Sequence, residues 1–221
     1  MAFILNIETA TKNCSVALAQ HGTLISVREI AGEGYLHAEK LHLFIGEVIS
    51  DAGITIQQLD AVAVSRGPGS YTGLRIGVSA AKGLCYALSV PLIAIDTLEV
   101  LARKVTLNDG ELIAPLIDAR RMEVYTAVYN RGYERVSEIT AEIIDENFLS
   151  KIKTTLHLAG DGAAKCKGLL NGSNIIYHED AIYPSSAEMC GISYNKYKIG
   201  DTVDVAYFEP FYLKDFIAGK S

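Results

Sequence analysis

The stretch Ser65-Arg66-Gly67-Pro68-Gly69-Ser70-Tyr71-Thr72-Gly73-Leu74-Arg75-Ile76-Gly77 constrains the fold more than any other part of the chain. It follows a short apolar run, Leu59 to Val64, that reads as a buried strand, and it leads into a long apolar segment with helical spacing. Gly67 and Gly69 permit backbone angles closed to other residues, and Pro68 stiffens the turn between them. Ser70 or Thr72 can cap the next helix, because a hydroxyl there accepts from free first-turn amides. A strand, glycine turn and helix in this order belong to a mixed α/β protein. The turn can cradle an anion on its amides, or let another chain approach the backbone closely.

Spacing separates this turn from two nucleotide motifs. The P-loop needs a lysine after its last glycine, and Leu74 follows Gly73. The dinucleotide fingerprint needs a third glycine where Thr72 stands. G-x-S-x-G is also absent, so the turn is no nucleophile elbow.

Around this turn the chain alternates strands and helices. Phe3 to Glu8, Cys14 to Ala19 and Leu24 to Ile30 read as strands, with a turn at His21-Gly22. Leu36 to Ala52 reads as a helix with Leu41, Phe44, Ile45, Val48 and Ile49 on one face, ended by Gly53. Thr72 to Leu88 forms a second helix, Pro91 to Ile95 a buried strand, and Asp96 or Thr97 opens a helix running to Lys104. Asn108-Asp109-Gly110 is a strong turn signal and marks the boundary between two lobes. Beyond it, Leu112 to Ile117 and Val124 to Tyr129 read as a hairpin around Asp118-Ala119-Arg120-Arg121. Thr155 to Ala159 reads as a strand, and Lys165 to Leu170 as a short helix.

The second helix is unusually apolar around its circumference. Leu74, Val78, Ala81, Cys85 and Leu88 form a heptad-like seam, flanked by Gly73, Gly77 and Ala80. Arg75, Ser79 and Lys82 make only a narrow polar strip. Glycine costs up to ~1 kcal/mol per helix position, so this helix is expected to be covered closely, by its own lobe or by another chain.

The thirteen residues quoted first resemble the signature of the TsaB (YeaZ) family, bacterial partner proteins in making threonylcarbamoyladenosine on tRNA. Ile4 to Thr11 with Cys14 to Leu18, Asp118-Ala119-Arg120-Arg121-Met122-Glu123-Val124-Tyr125, and Pro210-Phe211-Tyr212-Leu213-Lys214 carry the resemblance further. Gly160-Asp161-Gly162-Ala163 adds a fourth match. The resemblance implies an actin-like ATPase fold (ASKHA, ribonuclease H-like) with two related lobes, here 1–108, carrying the dimerisation helices, and a smaller lobe 109–221. It implies a non-catalytic subunit that binds and stabilises a TsaD-type subunit, works with a TsaE-type ATPase, and meets tRNA only through the complex. Alone, such a chain is expected to form a homodimer. The partner-binding face would draw on Leu41, Phe44, Ile45, Val48, Gly73, Leu74, Gly77, Val78, Ala81 and Cys85, some of which must also serve the core.

Candidate chemistry is sparse. Two histidines four apart on a helix, the metal site of the TsaD relative, can share one ion. Here His37 and His42 are five apart, so their rings diverge by roughly 140°. His21, His157 and His178 read as standing alone. No metal site and no catalytic residue are expected. Glu8 stands where actin-like ATPases place an aspartate, with Thr9 beside it. With Asp118, Arg120 and Asp161 these are the candidates to face a nucleotide. No cofactor is required, and ATP or ADP would lie in the lobe cleft or at a subunit interface. The competing reading is a stand-alone Mg-ATP-dependent phosphotransferase or ATPase using Glu8, the glycine turn and Gly160-Asp161-Gly162.

A net charge of -6 is a poor footing for binding tRNA unaided. The four cysteines, at 14, 85, 166 and 190, form no C-x-x-C pair and read as reduced core thiols. No apolar run approaches the ~20 residues that span a bilayer, and no signal peptide is evident. A cytoplasmic protein without a membrane partner is expected.

Overall fold

A computed structural model describes residues 2–32 and 36–214. In the first half, β1 (Phe3–Glu8), β2 (Asn13–Gln20) and β3 (Thr23–Ala31) form a meander. Helix α1 (Leu36–Asp51), strand β4 (Ala61–Gly67), helix α2 (Tyr71–Leu88), strand β5 (Leu92–Asp96) and helix α3 (Thr97–Ala102) follow. The second half holds β6 (Leu112–Asp118), β7 (Glu123–Thr126), β8 (Thr140–Ile143), β9 (Leu156–Ala159), β10 (Ile175–His178) and helix α4 (Ser186–Ile199). Short 3-10 turns lie at Ile56–Gln58 and Ala163–Cys166.

The two sheets repeat one topology. The first has the order β3-β2-β1-β4-β5 and the second β10-β9-β6-β7-β8, the same path read from the opposite edge. In each, an antiparallel hairpin opens the sheet, and later strands join parallel to its first strand. Parallel addition needs a crossover, which α1 and α2 supply in the first sheet. This is the actin-like architecture of two related lobes.

Alternation along β1 and β4 gives the first sheet two buried faces. Leu5, Ile7, Val62 and Val64 pack with Leu41, Ile45, Val48, Val78, Ala81 and Cys85 of α1 and α2. Ile4, Ala61, Ala63, Ile93 and Ile95 pack with Met189 and Ile192 of α4. So α4 crosses back beneath the first sheet, and Val203 bridges to Leu92 of β5. The first sheet lies within residues 1–108 and the second within 109–221, while α4 and the segment after it pack on the first sheet. The helix expected over Lys165 to Leu170 is instead the 3-10 turn at Ala163–Cys166, because Gly168 takes a φ of 114°, which no helix continues through. Among the described residues no helix is long and apolar enough to cross a membrane.

Candidate functional site

The glycine turn is filled by its own chain. Ser70 caps α2, its hydroxyl accepting from the Gly73 amide at 3.3 Å. The Ser70 amide donates to the Ala10 carbonyl at 2.7 Å. The Thr9 hydroxyl donates to the Gly73 carbonyl at 2.8 Å. A Cβ on Gly69 would run into Ala10, and one on Gly73 or Gly77 would run into Thr9. These three glycines therefore exist to let α2 press against the loop between β1 and β2. The small-residue stripe read from the sequence is explained inside the lobe. On the other side, Phe211 donates its amide to the Arg66 carbonyl at 2.7 Å, and its own carbonyl lies over Gly67.

Beneath the turn lies a buried polar floor. Glu8 and Thr9, expected to face a nucleotide, are both fully buried. Glu8 Oε1 accepts from the Ala10 amide at 2.6 Å, while Oε2 has no hydrogen-bond partner. Burial pushes the Glu8 carboxyl up to about 7, and the Ala10 amide and Ser65 hydroxyl only partly oppose this. Glu188 of α4 adds a like charge nearby, and burial raises its own carboxyl despite Lys104 at 3.8 Å. Asn6 is also fully buried, with Oδ1 unpartnered.

The second hairpin and the loop after β9 meet, with Lys12 of the first hairpin close by. Asp161 accepts from the Asp118 amide at 2.9 Å, and Lys165 pairs with Asp118 at 2.6 Å. Burial raises the Asp161 carboxyl, and Lys12 from the first hairpin partly offsets it. Lys214 pairs with Glu123 and ties the closing segment to this hairpin. A Cβ on Gly160 or Gly162 would strike the Leu116 carbonyl, so these glycines allow the loop to cross β6. Asp118 and Arg120 are exposed; Asp161 is partly covered. Thus Asp118, Arg120 and Asp161 come together at the surface, and Glu8 and Thr9 do not join them. In both glycine turns the space a Cβ would need is taken by neighbouring atoms of the chain, Ala10 and Thr9 in one and Leu116 in the other.

An ion cluster the sequence did not reveal joins the first sheet to the segment after β7. Asp96 at the end of β5 pairs with Arg66 at 2.6 Å and with Arg135 of the second lobe at 3.7 Å. Likewise His157 and His178, read as isolated, stack on neighbouring strands with Nδ1 and Nε2 2.7 Å apart. Parallel pairing of β9 with β10 brings them together, which no local spacing signals. Among the described residues no three His, Cys, Asp or Glu side chains gather as a metal site.

The helix pair divides into an inner and an outer face. Leu41, Ile45, Val48, Gly73, Leu74, Gly77, Val78, Ala81 and Cys85 are buried in the lobe's own core, so they offer no surface to a partner. Of the ten expected contacts only Phe44 is partly open. The heptad seam is the inward stripe that the sheet covers. Facing outward are Leu43, 50% exposed, and Tyr86, 85% exposed. Gly46 of α1 and Gly83 of α2 have open space where a Cβ would stand. Arg75 and Lys82 anchor the closing segment: Arg75 donates to the Tyr212 hydroxyl at 3.3 Å, and Lys82 to the Ala206 and Phe208 carbonyls at 3.1 and 3.0 Å. Nothing in the apolar periodicity distinguishes the inner from the outer stripe, though an unpaired Leu43 and the two spare glycines are the available hint.

Comparison with known proteins places the chain. A family model described as "TsaD: tRNA N6-adenosine threonylcarbamoyltransferase" matches residues 33–207. The tRNA threonylcarbamoyladenosine biosynthesis protein TsaB of Escherichia coli is 30% identical over 98% of this chain and 96% of that protein. TsaB of Bacillus subtilis is 38% identical over 57% of this chain and 54% of that protein. The solved structure of YeaZ from Pseudomonas aeruginosa matches with a TM-score of 0.84 and 26% identity, over 96% of this chain and 100% of that one. The ethanolamine utilization protein EutJ of Carboxydothermus hydrogenoformans shares the fold, at a TM-score of 0.51 and 9% identity over 86% of this chain and 89% of that one.

Proposed function

The chain belongs to the TsaB (YeaZ) family, and from that membership we propose that it takes part in making threonylcarbamoyladenosine in tRNA as a non-catalytic subunit. Its task is to bind and stabilise a TsaD-type subunit, which performs the transfer, in a complex that a TsaE-type ATPase joins. Alone, the same face pairs two copies of the chain.

One contrast among the glycines carries this reading. Gly69, Gly73 and Gly77 are taken up by close approach to Thr9 and Ala10 within the chain. Gly46 and Gly83 sit in helix interiors, and a Cβ on either would meet nothing within 4 Å. Each costs ~1 kcal/mol relative to alanine with no offset inside the chain. A partner helix whose backbone approaches closely would supply one, and exposed Leu43 and Tyr86 would give it apolar contact.

Co-purification with the TsaD-type subunit of the same cell tests this. Leu43→Asp and Gly83→Leu should abolish the complex while the isolated chain stays folded, because Leu43 is half exposed and a Cβ on Gly83 meets open space. Normal binding by both variants would move the contact elsewhere. ATP turnover by the isolated chain, abolished by Glu8→Gln, would instead favour the stand-alone ATPase or phosphotransferase.

A further inference from the structure

We infer that Arg120 and Arg121, at the tip of the hairpin between β6 and β7, contact the phosphate backbone of tRNA in the assembled complex. This deepens the function proposed above and rests on it. Arg120 has a φ of 70° and Arg121 a φ of 49°. Two successive left-handed arginines are costly placements that glycine or asparagine would fill with little strain. The turn is nonetheless firmly held. Asp118 accepts from the Arg120 amide at 2.6 Å, the Ala119 amide donates to the Glu123 carbonyl at 3.1 Å, and the Glu123 amide donates to the Arg120 carbonyl at 3.2 Å. Strain retained in an otherwise well-fixed turn points to what the two side chains do.

Among the described residues three carboxylates around the two arginines are paired with other groups. Asp118 is taken by Lys165, Glu123 by Lys214, and Asp161 by the Asp118 amide with Lys12 nearby. Arg120 and Arg121 are exposed, and among the described residues neither forms an ion pair. Arg120, Arg121, Lys165 and Lys214 stand beside Asp118, Glu123 and Asp161, with Glu142 of β8 paired opposite Val124. Met122, 48% exposed, is the large apolar side chain at the tip. A protein interface needs an apolar centre, whereas a phosphodiester contact needs only correctly placed cations, and the arginine fork matches phosphate oxygens.

The test measures tRNA binding by the complex reconstituted with its TsaD- and TsaE-type partners, across a series of KCl concentrations. Arg120→Asn with Arg121→Gly removes both charges and suits the left-handed turn, so the hairpin should hold at least as well. Binding at 150 mM KCl should weaken about tenfold, and the slope of log K against log salt should fall by about 1.5. Arg120→Lys with Arg121→Lys should restore most of the slope. Unchanged affinity and slope in the charge-free variant would overturn the inference. So would loss of a protein partner before tRNA is added, which would assign the tip to an acidic protein surface. Failure of the unaltered chain to join the TsaD-type subunit would sink the proposed function itself, a result visible before any tRNA is present.

Discussion

Glu8 gives a prediction whose size follows from its burial. In the unfolded chain its carboxyl titrates at the ordinary value of 4.5; in the folded protein burial raises it to about 7. Between these values the native state holds a proton that the unfolded state has released. Stability therefore falls as pH rises through this window and is lowest above pH 7. At about 1.4 kcal/mol per pH unit, the total loss is about 3 kcal/mol. Glu8→Gln removes the titration. Its amide oxygen can still accept from Ala10. Urea unfolding of both proteins at pH 5, 6, 7 and 8 measures the difference. The stability of the variant relative to the parent should rise by about 2.5 kcal/mol between pH 5 and pH 8. A difference that stays constant across this range would show that Glu8 is not the titrating group, and the account of the buried floor would be wrong.

Two further outcomes test the packing. Gly77→Ala should destabilise by roughly 1–3 kcal/mol, since its Cβ must displace the Thr9 hydroxyl, while Gly83→Ala should stabilise the isolated chain by about 0.5–1 kcal/mol; thermal unfolding separates them. Cys14, Cys85, Cys166 and Cys190 are all free and buried, and burial pushes the first three up to about 11 and Cys190 to about 12. Native protein at pH 8 should therefore react negligibly with a thiol reagent, and all four should react in denaturant.

The elements that the sequence made legible are those with a strong local period. β1, α1, the glycine turn and α2 all show a buried stripe or a turn residue whose physical demand is unambiguous. α4 was invisible because the face it buries includes Ser186, Cys190 and Ser193 beside Met189 and Ile192, so polar and apolar residues do not segregate around it. β8 and β10 are edge strands of four residues with mixed exposure, too short and too open to alternate clearly. The site was harder. Periodicity located the covered face of α2 but not what covers it, since a sheet and a partner subunit impose the same stripe. Glu8 was found by its place at the end of a strand, yet its full burial depends on α4 and β4, far along the chain. The Asp96 cluster and the stacked histidines come from pairings between remote segments, for which residue spacing carries no record.

The return of α4 beneath the first sheet has a consequence during synthesis. The strands β1, β4 and β5 are complete once Asp96 has been made, but Ile4, Ala63, Ile93 and Ile95 gain their cover only when Met189 and Ile192 arrive. At ribosomal rates of ~5–20 residues per second, that greasy underside waits roughly 5–20 s for its lid. The nascent amino-terminal half is a natural client for chaperones through this interval, and a ribosome stalled in the second half leaves behind a fragment that cannot seal itself.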